Sequence, residues 1–180
     1  MAKHLVQEAV YWSRLDQGDW SLYLAATESG LCAITLPHDT FATLEQWIDA
    51  HIPGAVLEHN VIALAPYTTQ LQEYFNGQRQ HFTCAVDMRG TTFQRRVWNA
   101  LRDIPFGTVQ SYSDIAARIG SPQAVRAVGA ANGANPIPIV VPCHRVIGKN
   151  RTLTGYRGGL EVKAHLLELE GIAVSLDARR

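Results

Sequence analysis

The segment over residues 139–148 constrains the fold more than any other part of this sequence. It is apolar at both ends, but Pro142, Cys143, His144 and Arg145 stand in its middle. A buried polar group without a hydrogen-bond partner costs on the order of a few kcal/mol, so the rest of the chain must supply partners for these side chains. The apolar flanks predict a buried strand. The polar centre indicates a reactive site with Cys143 as its nucleophile.

Length and composition permit a substantial core. The chain has 180 residues, of which 47% are hydrophobic, and can form one large domain or two small ones, each with its own core. No apolar run approaches the ~20 residues that span a bilayer, and the N-terminus lacks an apolar signal segment, so we expect a soluble, cytoplasmic protein. Three cysteines without a Cys-x-x-Cys pair predict free thiols and no metal site. The sequence contains none of the common motifs for dinucleotide binding, phosphate binding or zinc-dependent hydrolysis.

Charge divides the chain into two unlike halves. Residues 1–88 hold 3 basic and 10 acidic side chains, for a net charge of −7, whereas residues 89–180 hold 13 basic and 6 acidic side chains, for a net charge of +7. We place a domain boundary between these two ranges, within a few residues. Either the halves present oppositely charged surfaces to each other, or the basic half binds a polyanion. Charge alone leaves both interpretations open.

The first half combines short strands with helices. Alternating apolar residues and hairpin signals predict strands over residues 9–12, 20–25, 31–36, 55–58 and 82–86. Thr40 is expected to cap one helix, and Pro66 is expected in the first turn of another. Cys32 and Cys84 fall within strand patterns, where buried and unreactive thiols are the rule. This half is therefore predicted to be a small α/β domain.

The second half is predicted to be mainly helical. Thr91 or Thr92 is expected to cap its first helix, and Ser111 its second. A third helix is expected to begin with Ser121 as its N-cap and Pro122 in its first turn. The second and third helices, joined by a tight Gly-Ser-Pro turn, form the pattern of a helix-turn-helix.

The third helix is rich in Ala and Gly over residues 123–133 and carries one long basic side chain, Arg126. Small residues allow close packing against another helix. They equally allow a close approach to nucleic acid, with Arg126 reaching into it. The net charge of +7 in this half favours nucleic acid.

The chemistry of Cys143 requires a base, because the thiolate is the reactive form and a free thiol is mostly protonated at pH 7. His144 is adjacent, but neighbours in a regular strand point to opposite faces, so a bend at Pro142 or a bridging water is needed. The imidazole needs an orienting acceptor in turn. Glu170 is a candidate, because helical spacing places it on one face with Leu160, Lys163 and Leu167 and so in line with apolar core positions. An ordinary surface carboxylate at a frayed helix end is the other interpretation.

Together these residues resemble the O6-alkylguanine-DNA alkyltransferase family, in its bacterial single-function form. The most specific match is Pro-Cys-His-Arg-Val at residues 142–146. Further matches, in order and at the expected spacing, cover most of residues 90–171: they lie at 106–109, 111–112, 126–129, 135–136, 155–156, 158–160 and 166–171.

The resemblance implies an α+β fold with two domains. The first would be a small α/β domain of the ribonuclease-H-like type, and the second a mainly helical domain of the winged helix-turn-helix type. It also implies direct reversal of DNA damage, in which the alkyl group of O6-methylguanine, and in some members O4-methylthymine, moves irreversibly to a cysteine of the protein. Each molecule would act once, as a monomer, without metal or cofactor.

The resemblance also implies roles around the reacting sulfur. Cys143 would accept the alkyl group, and His144 would act through a water as its base, held by Glu170. Asn135 would support the reactive turn by hydrogen bonds. Tyr112 would help to flip the nucleotide, line the guanine pocket and donate a proton to the leaving guanine.

The remaining roles concern double-stranded DNA, bound through its minor groove with one nucleotide flipped out. Arg126 would fill the space left by the extruded base. The helix that carries it would contact the groove through small residues, which are Ala127, Ala130 and Ala131. The alkylguanine pocket would be formed by Tyr156, Arg157, Gly158 and the backbone of Val146. Arg157 is a departure, because some members have a small residue there.

Two other functions remain as alternatives. Alkyltransferase-like proteins bind lesions without enzymatic activity, but they lack the acceptor cysteine that this chain retains at Cys143. A winged-helix transcription regulator would explain the helix-turn-helix and the charge. It would leave the Pro-Cys-His-Arg sequence without a role.

Overall fold

The computed structural model describes residues 7–174. The N-terminal half of this range is a sheet with two helices. The strands are β1 Ala9–Gln17, β2 Trp20–Thr27, β3 Gly30–Ile34 and β4 Val56–His59. They lie in the order β3-β2-β1-β4, in which β4 is parallel to β1 and the other neighbours are antiparallel. The helices are α1 Phe41–His51 and α2 Val61–Phe75.

The two faces of this sheet pack against different partners. On one face Ala25 and Cys32 meet Leu44 and Ile48 of α1 in a small cluster. The other face packs against α2 and against the C-terminal half. Alternation of side chains along the strands produces this division, because successive residues point to opposite faces. The sheet is therefore covered on both sides.

The C-terminal half is mainly helical, as predicted. Its helices are α3 Thr92–Arg102, α4 Tyr112–Arg118, α5 Val125–Gly133 and α6 Leu160–Leu169. Two short parallel strands, β5 Gln110–Ser111 and β6 Val146–Ile147, form a second sheet. Thr91 and Ser111 both form capping boxes, with Gln94 and Asp114 respectively. These two predicted helix starts are confirmed.

One core joins the two halves of the chain. Leu22 of β2 and Leu71 of α2 belong to the same buried cluster as Trp98 of α3. The backbone N–H of Ile34, at the end of β3, also donates to the carbonyl of Pro136 at 2.8 Å. The two halves therefore share one core, because the second face of the N-terminal sheet is buried by the C-terminal helices.

Pro66 does not open α2. The helix begins after Asn60, whose side chain accepts the N–H of Ala63 at 2.9 Å, and Pro66 lies inside the helix. A proline in the second turn leaves the carbonyl four residues earlier without its helical donor. That carbonyl belongs to Ile62, which is exposed and open to solvent.

Residues 82–86 do not form the predicted strand. Only Val86 makes a bridge, with Leu31 of β3. The backbone N–H groups of Thr83 and Cys84 instead donate to the side chain of Gln70, at 2.9 and 3.3 Å. The alternation of side chains predicted that a neighbouring strand would accept these N–H groups. A side chain of α2 accepts them instead.

The third helix of the C-terminal half starts at Val125, not at Ser121. The N–H of Ser121 donates to Ala116 at 2.9 Å and that of Gly120 to Ala117 at 3.0 Å, with Gly120 at φ +70. This pair of bonds is a Schellman motif, which ends α4. Ser121 is used to close one helix, so it does not open the next.

Among the residues described, no helix is both long and apolar enough to cross a membrane.

Candidate active site

Cys143 begins a 3₁₀ turn over Cys143–Arg145, and the predicted strand at this place is wrong. The N–H of Arg145 donates to the carbonyl of Pro142 at 3.0 Å and closes the turn. Ile139, just before it, has φ +74, which is a strained conformation for a β-branched residue. The backbone therefore bends near Pro142, as the sequence analysis requires if His144 is to act on the thiol of Cys143.

Asn135 supports the approach to this turn, as the resemblance implies. Its side-chain amide donates to the carbonyl of Val141 at 2.8 Å, and its side-chain oxygen accepts from the N–H of Ile137 at 3.0 Å. The N–H of Ile137 would otherwise be a buried and unpaired donor, whereas the carbonyl of Val141 also accepts from the N–H of Cys143 at 2.8 Å. Asn132 holds the turn from another side, because its amide donates to the carbonyl of Cys143 at 3.3 Å.

The thiol of Cys143 is only 4% exposed. Its sulfur lies 3.8 Å from the hydroxyl oxygen of Tyr156. Burial raises the pKa of the Cys143 thiol, while hydrogen bonds from Asn135 and Tyr156 and the charge of Lys163 act in the opposite direction. With the pKa raised, the resting sulfur carries its proton at pH 7 and needs a base to become a nucleophile.

His144 is fully buried and can supply that base. Its Nε2 lies 2.7 Å from Oε1 of Glu170. Nδ1 has no hydrogen-bond partner within residues 7–174. Burial lowers the pKa of His144, and although Glu170 opposes this, the ring is neutral at pH 7. A neutral ring that donates from Nε2 to a carboxylate keeps its lone pair on Nδ1, which is the acceptor that a base requires.

Glu170 ends α6 and collects donors from several elements. Besides His144, the guanidinium of Arg145 donates to it at 2.9 and 3.0 Å, the hydroxyl of Tyr74 at 2.7 Å and the N–H of Gly107 at 3.2 Å. Burial raises the pKa of Glu170, but hydrogen bonds and charge from His144 and Arg145 outweigh it and lower the pKa to about 2. The residue is a buried, ionised carboxylate, so the alternative of a frayed surface glutamate is wrong.

Lys163 is a member of the site that the sequence analysis passed over. It is fully buried, and its ammonium group donates to the carbonyls of Val146 at 2.6 Å and Thr154 at 3.0 Å. The same group lies 5.9 Å from the ring centroid of Tyr156. Burial lowers the pKa of Lys163 to about 8. The sequence feature that could have indicated this role is a lysine on an otherwise apolar face of α6.

The predicted pocket residues gather beside the thiol. Tyr156 and Arg157 line a small cavity together with Cys143, and the buried Gly158 follows them. Val146 is buried, and its carbonyl already accepts from Lys163. A carbonyl oxygen has two lone pairs, so this one retains capacity for a second donor.

The helix-turn-helix presents part of the predicted DNA-binding set. Arg126, Ala127 and Ala130 are exposed on α5. Ala131 is 3% exposed, and its carbonyl accepts from the indole of Trp98 at 2.8 Å. The prediction that Ala131 contacts DNA is therefore corrected, because helical periodicity turns this residue toward α3.

Tyr112 is the first residue of α4 and is half-buried. Its hydroxyl accepts from Thr154 at 3.3 Å, and its ring lies beside Gly129 of α5. A side chain at Gly129 would stand about a van der Waals distance from that ring. Tyr112 thus connects the helix-turn-helix with the loop that leads to the pocket. Within the described range, no group of three metal-binding side chains is placed to hold a metal.

A basic domain in which a helix-turn-helix stands beside a cysteine and a histidine, joined to a small α/β domain, defines a class of protein that performs covalent chemistry at DNA. Comparison with known families identifies both parts. Residues 10–88 match the model described as "6-O-methylguanine DNA methyltransferase, ribonuclease-like domain". Residues 92–172 match "6-O-methylguanine DNA methyltransferase, DNA binding domain". The chain belongs to the methylated-DNA–protein-cysteine methyltransferase family.

Individual relatives match this chain over nearly its whole length. The inducible methylated-DNA–protein-cysteine methyltransferase of Bacillus subtilis is 50% identical over 166 residues, which are 92% of this chain and 93% of the relative. Among solved structures, the O6-methylguanine methyltransferase of Mycobacterium tuberculosis is 41% identical with a TM-score of 0.77, over 93% of this chain and 96% of that one. The same bacterium's OGT in complex with DNA gives a TM-score of 0.76, over 89% and 92%.

Proposed function

We propose that this chain repairs DNA by transferring the alkyl group of O6-methylguanine to the sulfur of Cys143. The observation that carries the proposal is the His144 ring, whose Nε2 is bound to Glu170 while Nδ1 is free to accept a proton. The relatives are named for methyl transfer from DNA to a protein cysteine, which agrees with this assignment.

The reaction begins with the proton of Cys143. It passes through a bridging water to Nδ1 of His144, and Glu170 stabilises the imidazolium that forms. The thiolate attacks the alkyl carbon in line, so an S–C bond forms as the C–O6 bond breaks. The guanine anion leaves and takes a proton from the hydroxyl of Tyr112, which regains one from solvent. The thioether is stable, so each molecule reacts once and consumes no cofactor.

Binding to DNA is assigned to α4 and α5. The alkyl carbon of O6-methylguanine is unreachable inside a stacked duplex, so the nucleotide must be flipped out. Exposed Ala127 and Ala130 let α5 approach the minor groove closely, and Arg126 fills the gap in the stack. The charge of +7 over residues 89–180 attracts the phosphate backbone. We place the protein in the cytoplasm, a reducing compartment in which a thiol persists.

Transfer of a labelled methyl group tests the proposal. Duplex DNA that carries O6-[³H]methylguanine is incubated with the protein, which is then digested. We expect one label per molecule at most, in the peptide that contains Cys143, and none with Cys143→Ala. Cys84→Ala is the control, because Cys84 is a free and half-buried thiol that does not line the cavity beside Cys143.

Each contrary outcome points to a different conclusion. Label in another peptide, or transfer that survives Cys143→Ala, would refute the assignment of the acceptor. Tight binding to the lesion without any transfer would favour a non-enzymatic lesion-binding protein. Equal binding to alkylated and unmodified duplexes of one sequence would favour a transcription regulator.

A further inference from the structure

The cavity beside Cys143 is not built by the C-terminal domain alone. Leu36 follows β3 in the N-terminal domain, is 2% exposed and lines this cavity together with Cys143, Pro138 and Tyr156. The backbone places it there, because Ile34 is hydrogen-bonded to the loop that contains Asn135 and Pro138. A residue from the ribonuclease-like domain therefore stands within the site at which the alkyl group would arrive.

Leu36 packs directly against the pocket loop over residues 155–158. A methyl group built on Gly158 would lie 3.1 Å from Cδ1 of Leu36 and 3.3 Å from the ring of Tyr156. Contacts this short are tighter than most, so a side chain at this position would require Leu36 or Tyr156 to shift by a few tenths of an ångström. The Leu36 side chain thus lies against the loop next to Tyr156, the residue whose hydroxyl lies 3.8 Å from the sulfur of Cys143.

Asp39 links Leu36 to the loop over residues 155–158. Its Oδ2 accepts the backbone N–H of Leu36 at 2.8 Å and also lies 3.4 Å from Nη1 of Arg157. The N–H of Asp39 in turn donates to the carbonyl of Leu36 at 2.9 Å. One carboxylate therefore fixes the position of Leu36 and holds Arg157 of the pocket loop. The Asp39–Arg157 pair is partly exposed, so solvent weakens it and it can open and close.

The cavity is also too small for a purine as it stands. Its volume is about 10 Å³, which is near the space that a single water needs. Entry of a flipped base therefore requires the loop over residues 155–158 to move away from Leu36. The Asp39–Arg157 pair restrains this movement of the loop, and the bulk of Leu36 limits the space that the movement opens.

We infer that Leu36 and Asp39 of the N-terminal domain determine which alkyl groups reach Cys143. Leu36 acts by its volume, which leaves room for a methyl group more readily than for a large one. Asp39 acts through Arg157, by holding the loop close. The inference rests on the proposed alkyl transfer to Cys143 and adds to it a selectivity that resides outside the reacting domain.

The test compares single-turnover transfer rates from two duplexes of one sequence, which carry O6-methylguanine and O6-benzylguanine. Leu36→Ala is expected to raise the benzyl-to-methyl rate ratio about tenfold, in line with the effect of a few methylene groups on hydrophobic discrimination. Leu22→Ala is the matched control, because Leu22 is equally buried in the main core but does not line the cavity. It should leave the ratio unchanged even where it lowers the melting temperature.

Asp39 provides a second test that does not depend on core packing. Asp39→Asn and Arg157→Gln should each raise the same ratio, and the double variant should raise it no further than either single variant, because all three remove one pair. If Leu36→Ala does not fold, Leu36→Val, which is smaller by one methylene group, and the Asp39 and Arg157 variants decide the question. An unchanged ratio in the folded variants, with wild-type transfer intact, overturns this inference alone. A wild-type protein that transfers neither group overturns the proposed function instead.

Discussion

Glu170 controls the protonation states around the reactive cysteine. It is ionised, with Arg145 bound to it as a counter-charge, so the resting cluster with neutral His144 carries no net charge. In the proposed transfer His144 would accept the proton of Cys143, and the new positive charge would form beside a carboxylate that is already in place and buried. Such preorganisation stabilises a developing charge without the cost of reorienting solvent. The acid–base partner thus acts through a fixed electrostatic environment.

The lowered pKa of Glu170 makes the stability of the protein sensitive to acid. Its pKa is about 2 when folded, against 4.5 as its ordinary value. Between these two values Glu170 is protonated in the unfolded chain but ionised in the folded chain. Its contribution to the free energy of unfolding is therefore full above pH 4.5 and is lost as the pH falls toward 2. The shift corresponds to roughly 3 kcal/mol in all. His144, whose pKa is also lowered, adds a loss of the same sign that begins near pH 6.5.

The substitution Glu170→Gln is expected to remove the loss of stability between pH 4.5 and pH 2. The variant is less stable at pH 7 by about 3–5 kcal/mol, because Arg145 stays buried without its counter-charge. The difference from wild type should then shrink as the pH falls from 4.5 to 2. Urea unfolding at a series of pH values measures it, with Glu168→Gln, an exposed neighbour, as the control. A difference that stays constant with pH would contradict the assignment of the pKa shift to Glu170.

At the scale of elements, the 3₁₀ turn over Cys143–Arg145 decides where the reactive groups point. Its tight rotation places Cys143 toward the cavity and His144 and Arg145 toward Glu170, which a straight strand could not do for adjacent residues. The turn is a short element with few bonds of its own. Its position therefore depends on Asn135 and on the strained backbone at Ile139.

Loss of the Asn135 side chain should disturb the turn more than the fold. Asn135→Ala leaves the buried N–H of Ile137 without a partner and removes one of two donors to the carbonyl of Val141, which keeps the N–H of Cys143; the change costs roughly 1–3 kcal/mol. A displacement of Cys143 by about 1 Å would slow transfer on the order of 100-fold. Single-turnover transfer and urea unfolding measure both effects, with Asn99→Ala, exposed on α3, as the control. Full activity in the destabilised variant would show that Asn135 does not position the sulfur.

Local signals predicted some elements well and others poorly, for identifiable reasons. The N-caps Thr91 and Ser111 were predictable because a capping box is formed by residues three apart in sequence. The start of α5 was not, because Ser121 is taken up by the end of α4. The strand over residues 82–86 failed because Gln70, distant in sequence, satisfies its backbone. Helical spacing pointed to Glu170, but its five donors come together only in the folded chain.

At the scale of the whole molecule, the two domains share a core and a reactive centre. Tyr74 of α2 donates to Glu170 at 2.7 Å, and Leu36 lines the cavity beside Cys143, so the N-terminal domain contacts the site at two separate points. Sequence composition could not reveal this, because the contacts join residues of opposite halves. The acidic first half therefore contributes side chains to the site of the DNA-binding domain.

The unequal charge of the halves has its own consequence for DNA binding. The basic half would displace counterions from the phosphate backbone, so affinity should fall steeply with salt. Arg126 stands exposed on α5, among small residues that bring the helix backbone close to the groove. Removal of the Arg126 side chain should therefore weaken binding to every duplex. The loss should be largest for a duplex in which a nucleotide is flipped out.

Arg126→Ala is expected to lower affinity for an O6-methylguanine duplex by about 1–3 kcal/mol and to reduce the salt slope by about 1. Fluorescence anisotropy across a salt series measures both quantities, with Cys143→Ala as the background so that no transfer occurs. Arg14→Ala is the matched control, because Arg14 is an exposed arginine of the N-terminal sheet that pairs with Asp16. If Arg126 fills the space of the extruded base, the loss should be larger for the alkylated duplex than for the unmodified one. Equal losses would assign Arg126 to phosphate contact alone.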